Sequence, residues 1–221
     1  MIRFLTIASL ILAVNYSLFG QNKRPYKCGF VIKDYKQLKY NFDNYSKHFN
    51  CQSGEKIASI GSSNGAIEVL ISIFTDSIAW TLQDIDTACL NQKELTNVIA
   101  YHEKLKKSKI NSTFDIQIGN ESKTNLRPNH YDRIILSNVF HELSDAKSIM
   151  VDIYNALTRD GELVIKDAVT NKQGQKRKDC GHLMLNETDF LTEMTSYGFM
   201  LVKRENPNNE LITYFTFRLI Y

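Results

Sequence analysis

From residue 56 onward the chain alternates short apolar runs with longer stretches in which apolar residues recur every three or four positions. A short continuous apolar run reads as a strand buried on both faces, and the three-four recurrence as one face of a helix. Strands are predicted at 56–61 (KIASIG), 77–82, 113–118, 131–137 (YDRIILS), 161–165 (GELVI), 199–204 and 211–220. Helices are predicted at 64–74 (Ile67, Leu70, Ile71 and Phe74), 87–106 (Leu90, Leu95, Val98, Ile99 and Leu105), 146–157 (Ile149, Met150, Ile153 and Leu157) and 188–197, which Gly198 ends. The run NPNNE between the last two strands is a hairpin signal. Ahead of Gly54, the residues Tyr35, Leu38, Phe42, Tyr45 and Phe49 trace one helical face within a polar segment, 21–53.

Repeated strand–helix alternation predicts an α/β fold of Rossmann-like type. Its core is a mainly parallel seven-stranded sheet with helices on both faces and a C-terminal antiparallel hairpin. No repeat and no Pro/Gly/Ser linker divides it, so 54–221 reads as one domain behind the N-terminal helical segment.

Residues 1–20 break the pattern. Arg3 precedes an eleven-residue apolar run, 4–14, which is too short to span a bilayer and has the length of a secretory signal core. Gly20 offers a small residue for cleavage before Gln21, with no cysteine for lipid attachment. A cleaved signal peptide predicts an exported protein, periplasmic or secreted, without a stable membrane span after cleavage. A start codon placed too early would instead leave a cytoplasmic protein.

The first strand runs into Gly61-Ser62-Ser63-Asn64-Gly65 and then a helix. A glycine turn lets backbone approach a ligand, and the helix amino end offers free N–H groups. Asp84 ends the second strand, 19 residues after Gly65, where a carboxylate is placed to accept ribose hydroxyls. Asp86 reads as a helix cap. Turn and acid together point to an adenosyl ligand.

With those residues in view, the chain resembles the class I S-adenosylmethionine-dependent methyltransferases over most of 56–221. IASIGSSNGA is similar to their first motif, and QDIDTACL to their second-strand acid. The block YDRIILSNVFHELSDAKSIMVDIYNALTRDGELVIKDAV resembles their fourth strand, histidine-bearing segment, helix and fifth strand. The resemblance implies S-adenosylmethionine as cofactor and a small-molecule acceptor. It implies that Gly61, Ser62, Ser63 and Gly65 line the methionine part, that Asp84 holds the ribose, that Asn120 and Glu121 face adenine, and that Ser137 and Asn138 lie under the reacting methyl. Two positions depart from the family pattern. Ser59 stands where an acid is usual, with Glu68 a candidate to compensate, and Ser63 replaces the middle glycine.

His141 lies where the small-molecule O-methyltransferases have a base histidine, and His182 is a second catalytic candidate; Glu142 is a further possible base. A histidine can take a hydroxyl proton as the methyl transfers. Asp145 is expected either to orient His141 or to cap the next helix, and Asp167 to be a structural strand-end acid.

Composition narrows the function classes. A formal net charge of +3 over 221 residues gives no global reason to expect nucleic acid. The basic runs 104–109 and 172–178 carry no interleaved aromatics, so no nucleic-acid partner is expected, although the second run is placed to meet an acidic substrate. None of the four cysteines has C-x-x-C spacing, so no metal site is expected. In an oxidising compartment Cys28 and Cys51 could pair, a question for geometry, with Cys89 expected to be buried in a helix. Two functions follow: methyl transfer to a small acceptor, or an exported non-catalytic binding module that keeps the fold.

Overall fold

The structure is a computed structural model that describes residues 24–207 and 211–221; the expected leader and the centre of the expected hairpin turn lie outside them. The N-terminal helix is α1 (Tyr35–Phe49), capped by Asp34, whose carboxylate accepts the Gln37 N–H. The sheet strands are β1 (Lys56–Ile60), β2 (Ala79–Asp84), β3 (Thr113–Ile118), β4 (Tyr131–Ser137), β5 (Leu157–Thr170), a two-residue β6 (Leu185–Asn186), β7 (Phe199–Glu205) and β8 (Ile212–Leu219). Between them run α2 (Ala66–Ser72), α3 (Gln92–Lys106), α4 (Ala146–Ala156) and α5 (Glu187–Ser196). The strand order is β3-β2-β1-β4-β5-β8-β7, with β6 joined to the end of β5. Strands β1 to β5 pair in parallel, and β8 is antiparallel to both β5 and β7. This is the expected sheet and hairpin. Among the described residues no helix is long and apolar enough to cross a membrane.

Strand alternation sorts the core into two layers. Ala58, Ile60, Ile134, Leu136, Leu163, Ile165, Phe215 and Phe217 pack on α4 and α5. Ile57, Trp80, Leu82, Ile135, Val164 and Tyr214 pack on the opposite face, with α2, α3 and the end of α1. Trp80 is buried and donates its indole N–H to Ser72 Oγ at 2.8 Å. Toward the amino ends of the strands, buried Arg133 joins Glu55 and Glu162 at 3.1 and 2.8 Å. The charges there are satisfied by one another, which leaves the carboxyl ends as the place for chemistry.

Two helices begin later than their apolar periodicity suggests. The helix expected from 64 starts at Ala66, because Gly65 is left-handed at φ +78°. The helix expected from 87 starts at Gln92, because Asn91 is its cap and accepts the Glu94 N–H. Cys89 therefore lies in a turn, not in a helix. It forms a disulfide with Cys28, while Cys51 is a buried free thiol, so the Cys28–Cys51 pairing does not form. Cys51 packs with Phe49 and Ile57 at the foot of β1, in the layer beneath α2.

The disulfide binds the incoming segment to the sheet's carboxyl end. Asn64 Nδ2 donates to the carbonyls of Lys27 and Cys28, buried Glu94 accepts the Lys27 N–H at 2.8 Å, and Tyr101 donates to the Ile32 carbonyl. The residues from Arg24 to Ile32 thus form a strap across α2 and α3.

Ser59 shares the parity of Ile57 and so faces α2, where its hydroxyl donates to Glu68 Oε1 at 2.5 Å. Both side chains are buried, and Glu68 Oε2 has no partner. Burial pushes the Glu68 carboxyl up to about 7, against the opposing pull of the Ser59 hydrogen bond.

Two expectations follow. Replacing Cys28 and Cys89 by serine, or reducing the native protein, should lower unfolding free energy by about 2–4 kcal/mol, measured by urea melts with and without reductant. Glu68 holds a proton in the folded chain that the unfolded chain has released above its ordinary value of 4.5. Stability should therefore fall as pH rises from there to about 7, by on the order of 3 kcal/mol from this group. Glu68→Gln keeps the Ser59 hydrogen bond and should remove that loss. Parallel melts of both proteins at pH 5 and pH 8 should show the variant gaining on the native chain at the higher pH.

Candidate functional site

The turn after β1 is built for close approach. Gly61 has φ +65°, and a Cβ there would lie 2.4 Å from Val139 Cγ2, so only glycine fits. Ser63 also takes a left-handed φ, +52°, at the position where the middle glycine would stand. Its N–H is held by Asp84 Oδ2 at 2.7 Å. Asp84 Oδ1 accepts the N–H groups of Ile85 and Asp86 at 2.8 and 2.9 Å. One carboxylate therefore shapes both the turn after β1 and the turn after β2. A carboxylate has about four lone-pair directions, so one remains on Oδ2 for a ligand. Asp86 caps the short 86–90 turn and not α3, accepting the Ala88 N–H.

A cavity of about 310 Å³ opens at this point, within the range of small-ligand sites. Gly61, Ser63, Asp84, Asn120, Glu121, Ser137 and Asn138 all line it. Ser62 and Gly65 do not: Ser62 is turned inward with its hydroxyl on the Gln83 carbonyl, and Gly65 is the cap residue of α2. Glu68 lies away from the wall, so it does not supply the acid missing at Ser59. Asn120 closes a tight turn with Lys123 and accepts the Ser122 N–H.

Two features of the wall point to a polar, cationic ligand. Among the described residues, the enclosed atoms Ser137 Oγ and Asn138 Oδ1 have no protein partner, a costly arrangement that a ligand would relieve. Among the described residues three carboxylates, Asp84, Glu121 and Glu142, line the cavity, and no Lys, Arg or His does.

The segment after β4 forms a 3-10 turn, Phe140–Glu142. Glu142 faces the cavity just described, while His141 lines a second one of about 550 Å³. His182, Lys172, Leu183, Met184 and residues of α5 also line this second cavity. Phe140 anchors the turn by packing edge-on to Phe190 of α5, at 4.9 Å between ring centroids.

The orientation of His141 comes from Asp167. Asp167 shares the strand parity of Leu163 and Ile165, is fully buried, and accepts both the backbone N–H of His141 at 3.2 Å and its ring Nδ1 at 2.9 Å. The other Asp167 oxygen accepts Arg177 Nη1 at 2.8 Å, and Arg177 in turn grips Asp179 through two hydrogen bonds. Asp167 is thus a positioning residue, and Asp145 caps α4 by accepting the Ser148 N–H. Nδ1 points its proton toward Asp167, so Nε2 faces away from that carboxylate, toward Cys180, Glu142 and His182. The pairing spans 26 residues and was unreadable from spacing; its one local signal was an acid closing an apolar strand.

Sequence comparison with protein-family models and with curated proteins returns no match. Solved structures do match. An S-adenosylmethionine-dependent methyltransferase from Aquifex aeolicus aligns with TM-score 0.61 and 14% identity, over 86% of this chain and 100% of that one. The [4+2]-cyclase SpnF aligns with TM-score 0.64 and 12% identity, over 88% and 86%. The mitomycin 7-O-methyltransferase MmcR aligns with TM-score 0.64 and 13% identity, over 83% of this chain and 54% of that one. On these matches the chain has the fold of the class I S-adenosylmethionine-dependent methyltransferases.

Proposed function

We propose that the protein transfers a methyl group from S-adenosylmethionine to a small-molecule acceptor. The observation that carries this reading is the charge of the first cavity: three carboxylates and no cationic side chain among the described residues. A dinucleotide would bring a pyrophosphate into that field and be repelled, whereas a sulfonium and an ammonium are attracted. When bound, the cofactor supplies a methyl group already activated by the positive sulfur.

The chain's own work is to bind, align and handle a proton. Asp84 offers its remaining lone pair to the ribose, and Asn120 and Glu121 border the base. Ser137 Oγ and Asn138 Oδ1 gain the partners that the protein does not supply. His141 presents Nε2 to the acceptor cavity, held in one tautomer by Asp167, and takes the acceptor's proton as alignment brings the reacting atoms together. A mitomycin 7-O-methyltransferase and an arsenic(III) methyltransferase among the structural neighbours support a small acceptor, while the cyclase SpnF has the same fold and other chemistry.

Export belongs to the same proposal. The Cys28–Cys89 disulfide and the apolar leader both favour an oxidising compartment. Mass spectrometry of the native amino terminus should find residues 1–20 removed; intact Met1 on soluble protein would overturn export.

Calorimetry should detect S-adenosylmethionine binding to the native chain. Asp84→Ala should abolish it, because three backbone N–H groups lose their acceptor along with the ribose. Absence of binding at millimolar cofactor sinks the methyl-transfer reading in favour of a non-catalytic module. His141→Asn should leave cofactor affinity unchanged and lower kcat by about 10²–10⁴-fold in metal-free buffer, with partial recovery at high pH.

A further inference from the structure

The geometry points to a transition-metal site, of the zinc class, formed by His141, Glu142, Cys180 and His182. One ligand atom from each lies within 4.8 Å of all the others. His141 Nε2 is 3.5 Å from Cys180 Sγ and 3.5 Å from Glu142 Oε1. Tetrahedral zinc with bonds of about 2.0–2.3 Å to N, O and S has ligand–ligand edges of roughly 3.3–3.7 Å. Two edges of the tetrahedron are therefore already at the length coordination requires, and side-chain rotations of exposed His182 and Glu142 would close the rest.

The second, independent observation is the support behind the ligands. A metal-bound histidine characteristically donates its other ring N–H to a carboxylate, which fixes the tautomer and aims the lone pair. Asp167 does this for His141, and both side chains are almost wholly enclosed, at 0% and 2% exposure. The same carboxylate holds Arg177, whose backbone N–H donates to the His182 carbonyl and whose carbonyl accepts the Gly181 N–H. These bonds fold 177–182 into a closed loop that presents Cys180 and His182 side by side. Asp167 therefore braces both halves of the site.

The ligand chemistry selects the ion. One thiolate, two imidazoles and one carboxylate suit Zn²⁺ or Co²⁺ and disfavour Mg²⁺ and Ca²⁺, which take oxygen ligands. His141 and His182 open on the acceptor cavity, and Glu142 on the carboxylate-lined one. A bound ion would thus stand between the two. An acceptor that displaces Glu142 from it would have its own pKa lowered by coordination. Metal binding and a base role at Nε2 exclude each other, because both use the same lone pair. The site itself rests on its ligands and not on the methyl-transfer reading.

Cobalt reports the geometry directly. The metal-free full chain, with the Cys28–Cys89 disulfide intact and Cys180 a free thiol, titrated with Co²⁺, should bind one ion. It should show the intense visible bands of a tetrahedral site and a near-ultraviolet thiolate charge-transfer band, both lost on adding one equivalent of Zn²⁺. Cys180→Ser should remove the charge-transfer band, and His182→Ala should weaken Co²⁺ binding at least 10-fold. Both positions are exposed, so melts in chelator should match the native chain and separate lost ligation from lost folding. A pale six-coordinate spectrum, or tetrahedral bands that survive in both variants, would overturn the site. Because the readout needs neither cofactor nor turnover, a failure here leaves the methyl-transfer reading standing, and the converse also holds.

Discussion

Asp167 is the group on which the working end of the molecule depends. An ionised carboxylate fully removed from water is sustained only by close donors and an opposing charge. Asp167 collects four hydrogen bonds: from the backbone and ring of His141, from Arg177, and from the Ala168 N–H. Each partner belongs to a different stretch of chain. Satisfying one buried charge therefore fastens the turn after β4 to the loop after β5, and the second cavity takes its shape from that junction. Removing the carboxylate would leave Arg177, itself 7% exposed, to Asp179 alone, as well as freeing His141.

Asp84 has the same role at the neighbouring strand end, by a different route. It is less enclosed, and it works through backbone donors alone, gathering the turns after β1 and β2. Ser63 can occupy a left-handed position usually left to glycine because its N–H is fastened to that carboxylate. The departure from a glycine-rich turn thus carries its own compensation. The departure at Ser59 does not bear on the cavity at all, since strand parity points that residue at Glu68 and into the helix layer.

The sheet was readable in the sequence because each buried strand is a bounded apolar run, and YDRIILS and KIASIG sit where those runs predict. Helix starts were less readable, because a cap is decided by single residues: Asn91 outweighs the apolar Leu90 beside it. The glycine turn and Asp84 followed from turn and strand-end chemistry and the other proposed positions from the family resemblance, and seven of the nine proposed residues line one cavity. What spacing could not reveal were contacts between elements distant in the chain. Cys28 pairs with Cys89 across 61 residues, and Cys180 approaches His141 across 39. Such pairs are products of the folded sheet, which brings the carboxyl ends of β2, β4 and β5 to one edge. A spacing rule for metal ligands sees only neighbours along the chain and so passes over ligands held on two loops.

The acidic lining of the first cavity has a consequence for turnover. On the proposed reading, the cofactor enters as a sulfonium and leaves as a neutral thioether, so the ligand sheds one positive charge during each cycle. The field of Asp84 and Glu121 does not change with it. The attraction that draws the reactant in is therefore weakened by the reaction itself, and the spent molecule is held less tightly than the one that replaces it. A wall of fixed negative charge would act as a ratchet on exchange, discriminating between two ligands that differ by a single methyl group through electrostatics and not through shape.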